Sequence, residues 1–186
     1  TPGTVAGLFA TMKYARLSFR TLIEPAIKLA ENGFSISASQ AKSLNDNRIH
    51  FLHVNRNPTA FVKDSAWKEA DILKQPELAA TLKKIRDKGP DEFYKGSIAR
   101  QIVDEMKTDN GIISLNDLAN YKAIFRPPVE FDYKGYRIVS VPLHSSGGIM
   151  LAQMMKMVEN RNIAALGFQT TESVQLMVEI ERRAYA

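Results

Sequence analysis

Over roughly the first two thirds of the chain, apolar residues recur every three or four positions, the spacing of a helix with one buried face. Val5, Leu8, Phe9 and Met12 form the first such stripe and predict a helix over 4–14. Ser18 is placed as the N-cap of a second helix, whose buried face carries Leu22, Ile23, Ala26, Ile27 and Ala30 up to a stop at Gly33. Pro25 falls inside that stripe and either kinks the helix or restarts it as a first-turn proline. Ser37 with Gln40 makes a capping-box pair that opens a third helix running to about Leu52. Residues 55–72 lack a period and contain Pro58, so they read as an irregular excursion with one short strand near Phe61. Helical spacing resumes at Pro76, with Leu78, Leu82 and Ile85 on one face and Gly89 as terminator. Ser97 is placed as the cap of a helix carrying Ile98, Ile102, Val103 and Met106 and stopped by Asn110-Gly111. Ser114 with Asp117 opens a short helix through Leu118 and Tyr121.

After Pro127-Pro128 the period falls to two. Val129, Phe131 and Tyr133 alternate, Lys134-Gly135 makes a tight turn, and Tyr136, Ile138 and Ser140 alternate again, which predicts a β-hairpin. Ser145-Ser146-Gly147-Gly148 then leads into a helix with Ile149, Met150, Gln153, Met154 and Met157. A last helix starts near Thr171 and carries Val174, Met177, Val178 and Glu181. The fold class is therefore α+β, mostly helical with one β-hairpin. No repeat, low-complexity stretch or linker interrupts the chain, so 1–186 reads as a single unit.

Composition narrows the function classes. With 45% hydrophobic and 24% charged residues over 186 positions, the chain belongs with folded rather than disordered sequences. A net charge of +5 admits a nucleic-acid partner, but the basic residues are scattered. The densest run, Lys83-Lys84-Ile85-Arg86-Asp87-Lys88, falls at a helix C-terminus, where cations suit the dipole, and reads as a solvated face. Cysteine is absent, which removes disulfides, thiolate metal sites and a cysteine nucleophile. No apolar run approaches the roughly 18 residues of a membrane-spanning helix. The chain starts at Thr1 without Met or an export signal, and it ends in helix-forming sequence from Glu179 to Ala186, so it reads as a piece cut at both ends.

Candidate chemistry is sparse. His50 and His53 lie at i and i+3 on one predicted helix, but no third ligand is near in sequence, and surface histidines are the better reading. Ser145 and Ser146 follow His144, yet a nucleophile elbow requires a glycine two residues before the serine, where Leu143 and His144 stand. Ser-Ser-Gly-Gly between a strand and a helix instead supplies a cap, free backbone N–H groups and a close backbone approach, as a structural or a ligand-lining loop. Glu179 and Glu181 occupy different helical faces and cannot act as an acid–base pair. Asp91-Glu92-Phe93-Tyr94 reads as a short packed helix, and Met150, Met154 and Met157 as core filling. The residues by themselves supply no catalytic, cofactor-binding or metal-ligating set.

Several stretches, in collinear order, resemble the γ-glutamyltransferase (γ-glutamyl transpeptidase) family. They are Pro2-Gly3-Thr4-Val5-Ala6-Gly7, the run from Leu22 to Phe34 (LIEPAIKLAENGF), Leu73 to Ala79 (LKQPELA), Gly89 to Gly96 (GPDEFYKG), Asp117 to Ala123 (DLANYKA), Tyr133-Lys134-Gly135-Tyr136 and Ser145-Ser146-Gly147-Gly148. Pro142-Leu143-His144 stands where the family has three prolines, and Asn55 to Trp67 matches poorly.

The resemblance implies a piece of the large-subunit region of an N-terminal-nucleophile hydrolase, whose complete form is a four-layer αββα sandwich. It implies a precursor that cuts itself to expose a nucleophilic Thr on a small subunit, the partner of this segment, and a γ-glutamyl small-molecule substrate such as glutathione. The group is passed to water, amino acids or peptides, and no cofactor is implied. Thr1 belongs to the large-subunit stretch and is not that nucleophile, so no catalytic residue carries over, and this segment alone is expected to be inactive. Periplasmic or secreted location is implied by the same resemblance. The alternatives are a related acylase or poly-γ-glutamate transpeptidase, or a non-catalytic helical binding module.

Overall fold

The computed structural model describes residues 2–57, 59–108 and 110–186; Thr1 and Pro58, on which two of the expectations rest, lie outside them. The chain is α+β and divides into two units, 1–123 and 124–186.

In the first unit α1 (Thr4–Thr11) gives way to a 3-10 turn at Met12–Tyr14, earlier than the single helix expected over 4–14. α2 (Phe19–Asn32) is capped by Ser18, whose hydroxyl accepts from the Thr21 N–H at 3.2 Å, and it runs unbroken through Pro25 without restarting there. Its buried residues are Ile27 and Ala30; Leu22, expected on the same face, is 47% exposed. Gly33 ends the helix at φ +82°. A Cβ at Gly33 would come within 2.5 Å of Ile72 Cγ2, so the position demands glycine both for its backbone angle and for space.

That tight corner exists because β1 (Phe34–Ser35) pairs antiparallel with β2 (Ile72–Leu73), Phe34 opposite Leu73 and Ser35 opposite Ile72. The strand expected near Phe61 does not form; Phe61 lies in a turn, and the strand at 72–73 was not anticipated by the sequence pattern. Phe61 serves the excursion differently: its carbonyl accepts from the Trp67 indole N–H at 2.8 Å. The Asn45 side chain clamps the Trp67 backbone from both sides, at 2.9 and 2.8 Å, and the Lys63 ammonium sits 4.6 Å over the Trp67 ring. Periodicity could not reveal a segment organised by one indole.

The helix expected from Ser37 to Leu52 is two, α3 (Ala38–Asp46) and α4 (Arg48–Val54). The Ser37–Gln40 capping box is present at the start. The break is Asn47, at φ −93° and ψ 3°, whose side-chain amide donates to the Ser43 carbonyl at 2.9 Å and competes with the helical ladder. α5 (Pro76–Lys88) lies along α2, joined by Arg86 to Glu24 at 2.9 Å and by Lys83 to Glu31, so the basic run is partly engaged in ion pairs. α6 (Pro90–Tyr94), α7 (Ser97–Thr108) and α8 (Leu115–Asn120) follow. Ser97 is the first residue of α7 and not its cap. Tyr94, Ala99, Val103 and Leu118 form one core cluster, and Ile36, Ala41 and Leu73 another.

The second unit starts with the expected hairpin, β3 (Val129–Tyr133) and β4 (Tyr136–Ser140), in the register Val129–Ser140, Phe131–Ile138 and Tyr133–Tyr136. α9 (Gly147–Val158) packs on β3 and β4. A short α10 (Ile163–Leu166), which the sequence pattern did not predict, precedes α11 (Thr171–Ala184), which packs on α9. No helix among the described residues is long and apolar enough to cross a membrane.

Candidate functional site

Within the first unit, three of the stretches that stand out in the sequence, 2–7, 89–96 and 117–123, meet at one place. The Tyr94 hydroxyl donates to the Pro2 carbonyl at 2.6 Å and accepts from the Ala6 N–H at 2.9 Å, so one phenol holds both ends of the turn that opens α1. Tyr121 stacks on Tyr94 with ring centroids 5.8 Å apart and planes 5° from parallel. Its own hydroxyl lies over Gly3, where a Cβ would stand 2.4 Å away. Burial pushes the Tyr94 hydroxyl above the ordinary phenol range, although the Ala6 N–H works against this, so the group is a neutral hydrogen-bonding partner near neutral pH.

Two residues before Tyr94, on the same short helix, stands a carboxylate. Glu92 is only 8% exposed and accepts from both the N–H and the hydroxyl of Ser97, with Lys88 Nζ at 3.5 Å. The Ser97 hydroxyl holds the carboxyl below the usual glutamate range, helped by the Ser97 N–H and the Lys88 charge. Glu92 thereby satisfies an orphan amide at the start of α7, which a serine at position 97 does not do for itself. The expectation of a short packed helix at 91–94 describes this segment well; the role of its glutamate and tyrosine as fasteners was invisible to spacing alone. The available signal was that both fall in one of the family-like stretches.

In the second unit the Ser145–Gly148 loop forms the corner between β4 and α9. Ser145 N–H closes a turn onto the Pro142 carbonyl at 3.2 Å, and its hydroxyl accepts from the Gly147 N–H at 3.3 Å. Gly148 is buried, and a Cβ there would lie 2.1 Å from the Val141 carbonyl oxygen, so the glycine is what lets the helix start against the strand. His144, Ser145 and Ser146 are exposed, and no hydrogen bond joins the histidine to either serine among the described residues. Such a corner can close a strand–helix joint, and it lacks the base–nucleophile contact that acyl transfer needs.

The remaining candidates stay apart. His50 and His53 are exposed on α4, and among the described residues no group of three or more His, Asp or Glu is placed to hold a metal ion. Glu179 pairs with Arg182 and Arg183 at 2.9 and 3.1 Å, and the Arg182 hydrogen bond holds its carboxyl below the ordinary range. Glu181 does not share in that network. Met150, Met154 and Met157 are half-buried on α9.

A family model described as gamma-glutamyltranspeptidase matches residues 1–186. The chain is 41% identical over 189 residues to a glutathione hydrolase proenzyme of Escherichia coli (strain K12), an alignment that takes in 100% of this chain and 33% of that protein. Its fold matches the crystal structure of Helicobacter pylori gamma-glutamyltranspeptidase with a TM-score of 0.93 at 40% identity, over 100% of this chain and 54% of that one. The transpeptidase enzyme CapD of Bacillus anthracis matches with a TM-score of 0.85 at 34% identity, over 99% of this chain and 64% of that one. The chain spans about a third of the length of the curated relatives it matches.

Proposed function

This chain belongs to the gamma-glutamyltranspeptidase family, and on that premise we propose that it is the helical part of the large subunit of a γ-glutamyltransferase. The parent cleaves γ-glutamyl amides such as glutathione and passes the γ-glutamyl group to water, amino acids or peptides. A threonine freed by self-cleavage attacks the amide carbonyl with its own amine as base, the amine product leaves with the proton, and the acyl-enzyme is released to the acceptor. Residues 1–186 hold no part of that reaction. They scaffold the small subunit that carries the threonine, as one continuous piece of the large subunit. The observation that carries this reading is the match of the family model along the whole chain.

The test is turnover of a chromogenic γ-glutamyl anilide by the full-length precursor. Release is expected only after the precursor has cut itself, and none from residues 1–186 alone. Anilide release by this chain alone, or none from the self-cleaved protein, would sink the reading.

A second reading, which the family resemblance leaves open, is a parent that acts on poly-γ-glutamate; the likeness to the Bacillus anthracis enzyme supports a transpeptidase and names no donor. Comparing glutathione, poly-γ-glutamate and a cephalosporin side-chain amide as donors separates the two and also tests for acylase activity. A preference for the polymer overturns the first assignment of substrate.

A further inference from the structure

The last helix of the second unit has two apolar faces. Ser173, Leu176, Ile180 and Ala184 recur at helical spacing and turn inward, with Ser173 and Ile180 buried. Val174, Met177 and Val178 recur at the same spacing on the adjoining face, about a quarter of a turn round the helix, and they are about half exposed. These are the residues that the sequence pattern offers as the packed face of α11. With Ile163 of α10 and the nearly bare Phe168 they line an open groove of about 620 Å³ that has Glu181 at its edge. An apolar arc this wide is more than one neighbour covers, and an exposed patch of this kind marks an interaction surface.

We propose that this groove seats an amphipathic segment from the remaining two thirds of the same precursor, with apolar side chains against Val174, Met177 and Val178 and a lysine or arginine against Glu181. The proposal rests on the large-subunit reading above. Two observations select the occupant. The chain aligns to only 33% of the length of its Escherichia coli relative, so a protein of that length carries ample sequence to cover the groove. The Glu181 carboxylate meets no cation among the described residues, whereas its neighbour Glu179 has taken both Arg182 and Arg183. Covering an unpaired carboxylate is unfavourable unless the cover brings a positive charge. A second copy of this chain, docked by the same groove, would bring a second unpaired Glu181 and no cation, which argues against a two-fold dimer here.

The absence of cysteine from these 186 residues allows a test with single introduced thiols. Met177→Cys and Val178→Cys are made one at a time in the full-length precursor, with Arg137→Cys on the exposed face of the hairpin as reference. Alkylation of the mapped peptide is then timed after self-cleavage. The thiols at 177 and 178 are expected to react about 100-fold more slowly than in the same protein unfolded in urea, and the thiol at 137 within about 10-fold of the unfolded rate. A photo-crosslinker on the Met177→Cys thiol is expected to attach to a peptide from outside residues 1–186.

Free reaction at 177 and 178, or a crosslink to a second copy of this chain, overturns the proposal. Raising salt from 0.05 to 1 M should speed the reaction at 177 about three-fold, and Glu181→Gln should abolish that dependence, because a charge pair at the rim is screened. Salt-independent protection overturns the cationic partner. Protected thiols in a protein that turns over no γ-glutamyl donor would defeat the functional reading alone. Unprotected thiols in an active enzyme would defeat the groove proposal alone.

Discussion

The two units use helices of similar quality to different ends. In 1–123, Ile27, Ile36, Leu73, Ile85, Tyr94, Val103 and Leu118 are all withdrawn from water, and polar joints such as Glu92 with Ser97 lock the helix ends to one another. In 124–186, among the described residues, Ile180 is the one large apolar side chain buried to that degree. Tyr136, Val139, Val141, Ile149, Val174, Met177 and Val178 remain more than a third exposed there. A hairpin with helices on one side is a partial layer structure, and it reaches a closed core only when something lies against its open faces. The difference teaches that good caps and sound periodicity make elements, whereas a core needs partners for every apolar face.

The sharpest way to break the comparison is to hollow each unit in turn. Leu118→Ala removes a side chain that is 1% exposed in the first core and should lower stability by about 2–5 kcal/mol, read as a loss of denaturation midpoint with amide protection lost in α7 and α8. Gly148→Ala forces a methyl into the Val141 carbonyl and should cost about 1–3 kcal/mol, with increased amide exchange confined to α9 and the hairpin. Tyr94→Phe leaves the Ala6 N–H and the Pro2 carbonyl without a partner and should cost about 1–2 kcal/mol, with exchange rising first at α1.

A pH series sharpens the polar side of the contrast. Because the folded-state pKa of Glu92 lies below its ordinary value of 4.5, its contribution is present above about that pH and fades as acid titrates the folded carboxylate. Glu92→Gln should therefore melt lower than the parent at pH 7, with the gap narrowing as the pH falls below 4.5. A gap that stays constant down to pH 3 would remove the carboxylate from the joint. The smallest effect is expected at Met177→Ala, within about 0.5 kcal/mol for residues 1–186 on their own, because about half of that side chain already faces water. A loss above about 2 kcal/mol there would show that this face is already covered within the unit.

Most of this architecture was legible in the chain itself. The caps at Ser18, Ser37 and Ser114 and the stops at Gly33 and Gly89 lie where their chemistry requires, and the hairpin register follows from its alternation. What escaped has a common cause. Asn47 breaks a helix through its own side chain, Trp67 organises an aperiodic loop, and Phe34–Ser35 pairs with residues nearly forty positions later. Each is a specific contact rather than a pattern. The candidate site was legible only in outline: the family-like stretches could be read, but not that Tyr94 and Tyr121 bring the first, fourth and fifth of them together. On α11 the spacing picked out Val174, Met177 and Val178, whereas Ser173 and Ile180 are the buried positions within residues 1–186, because periodicity shows that a stripe exists and not what it faces.

The fastening at Tyr94 also fixes an order of events. α1 has no fully buried residue of its own, and the hydroxyl that ties it down comes 88 residues after Ala6 and 92 after Pro2. Closing a loop of that size carries about 4 kcal/mol of chain entropy, beyond the fixed term for closure itself. During synthesis the first helix therefore has only its local contact, the stacking of Phe9 on Phe19, until α6 has emerged and Tyr121 can settle over Gly3. Among the helices of residues 1–123 it comes first in chain order and depends on contacts from far along the chain, so it is also where this unit should begin to come apart.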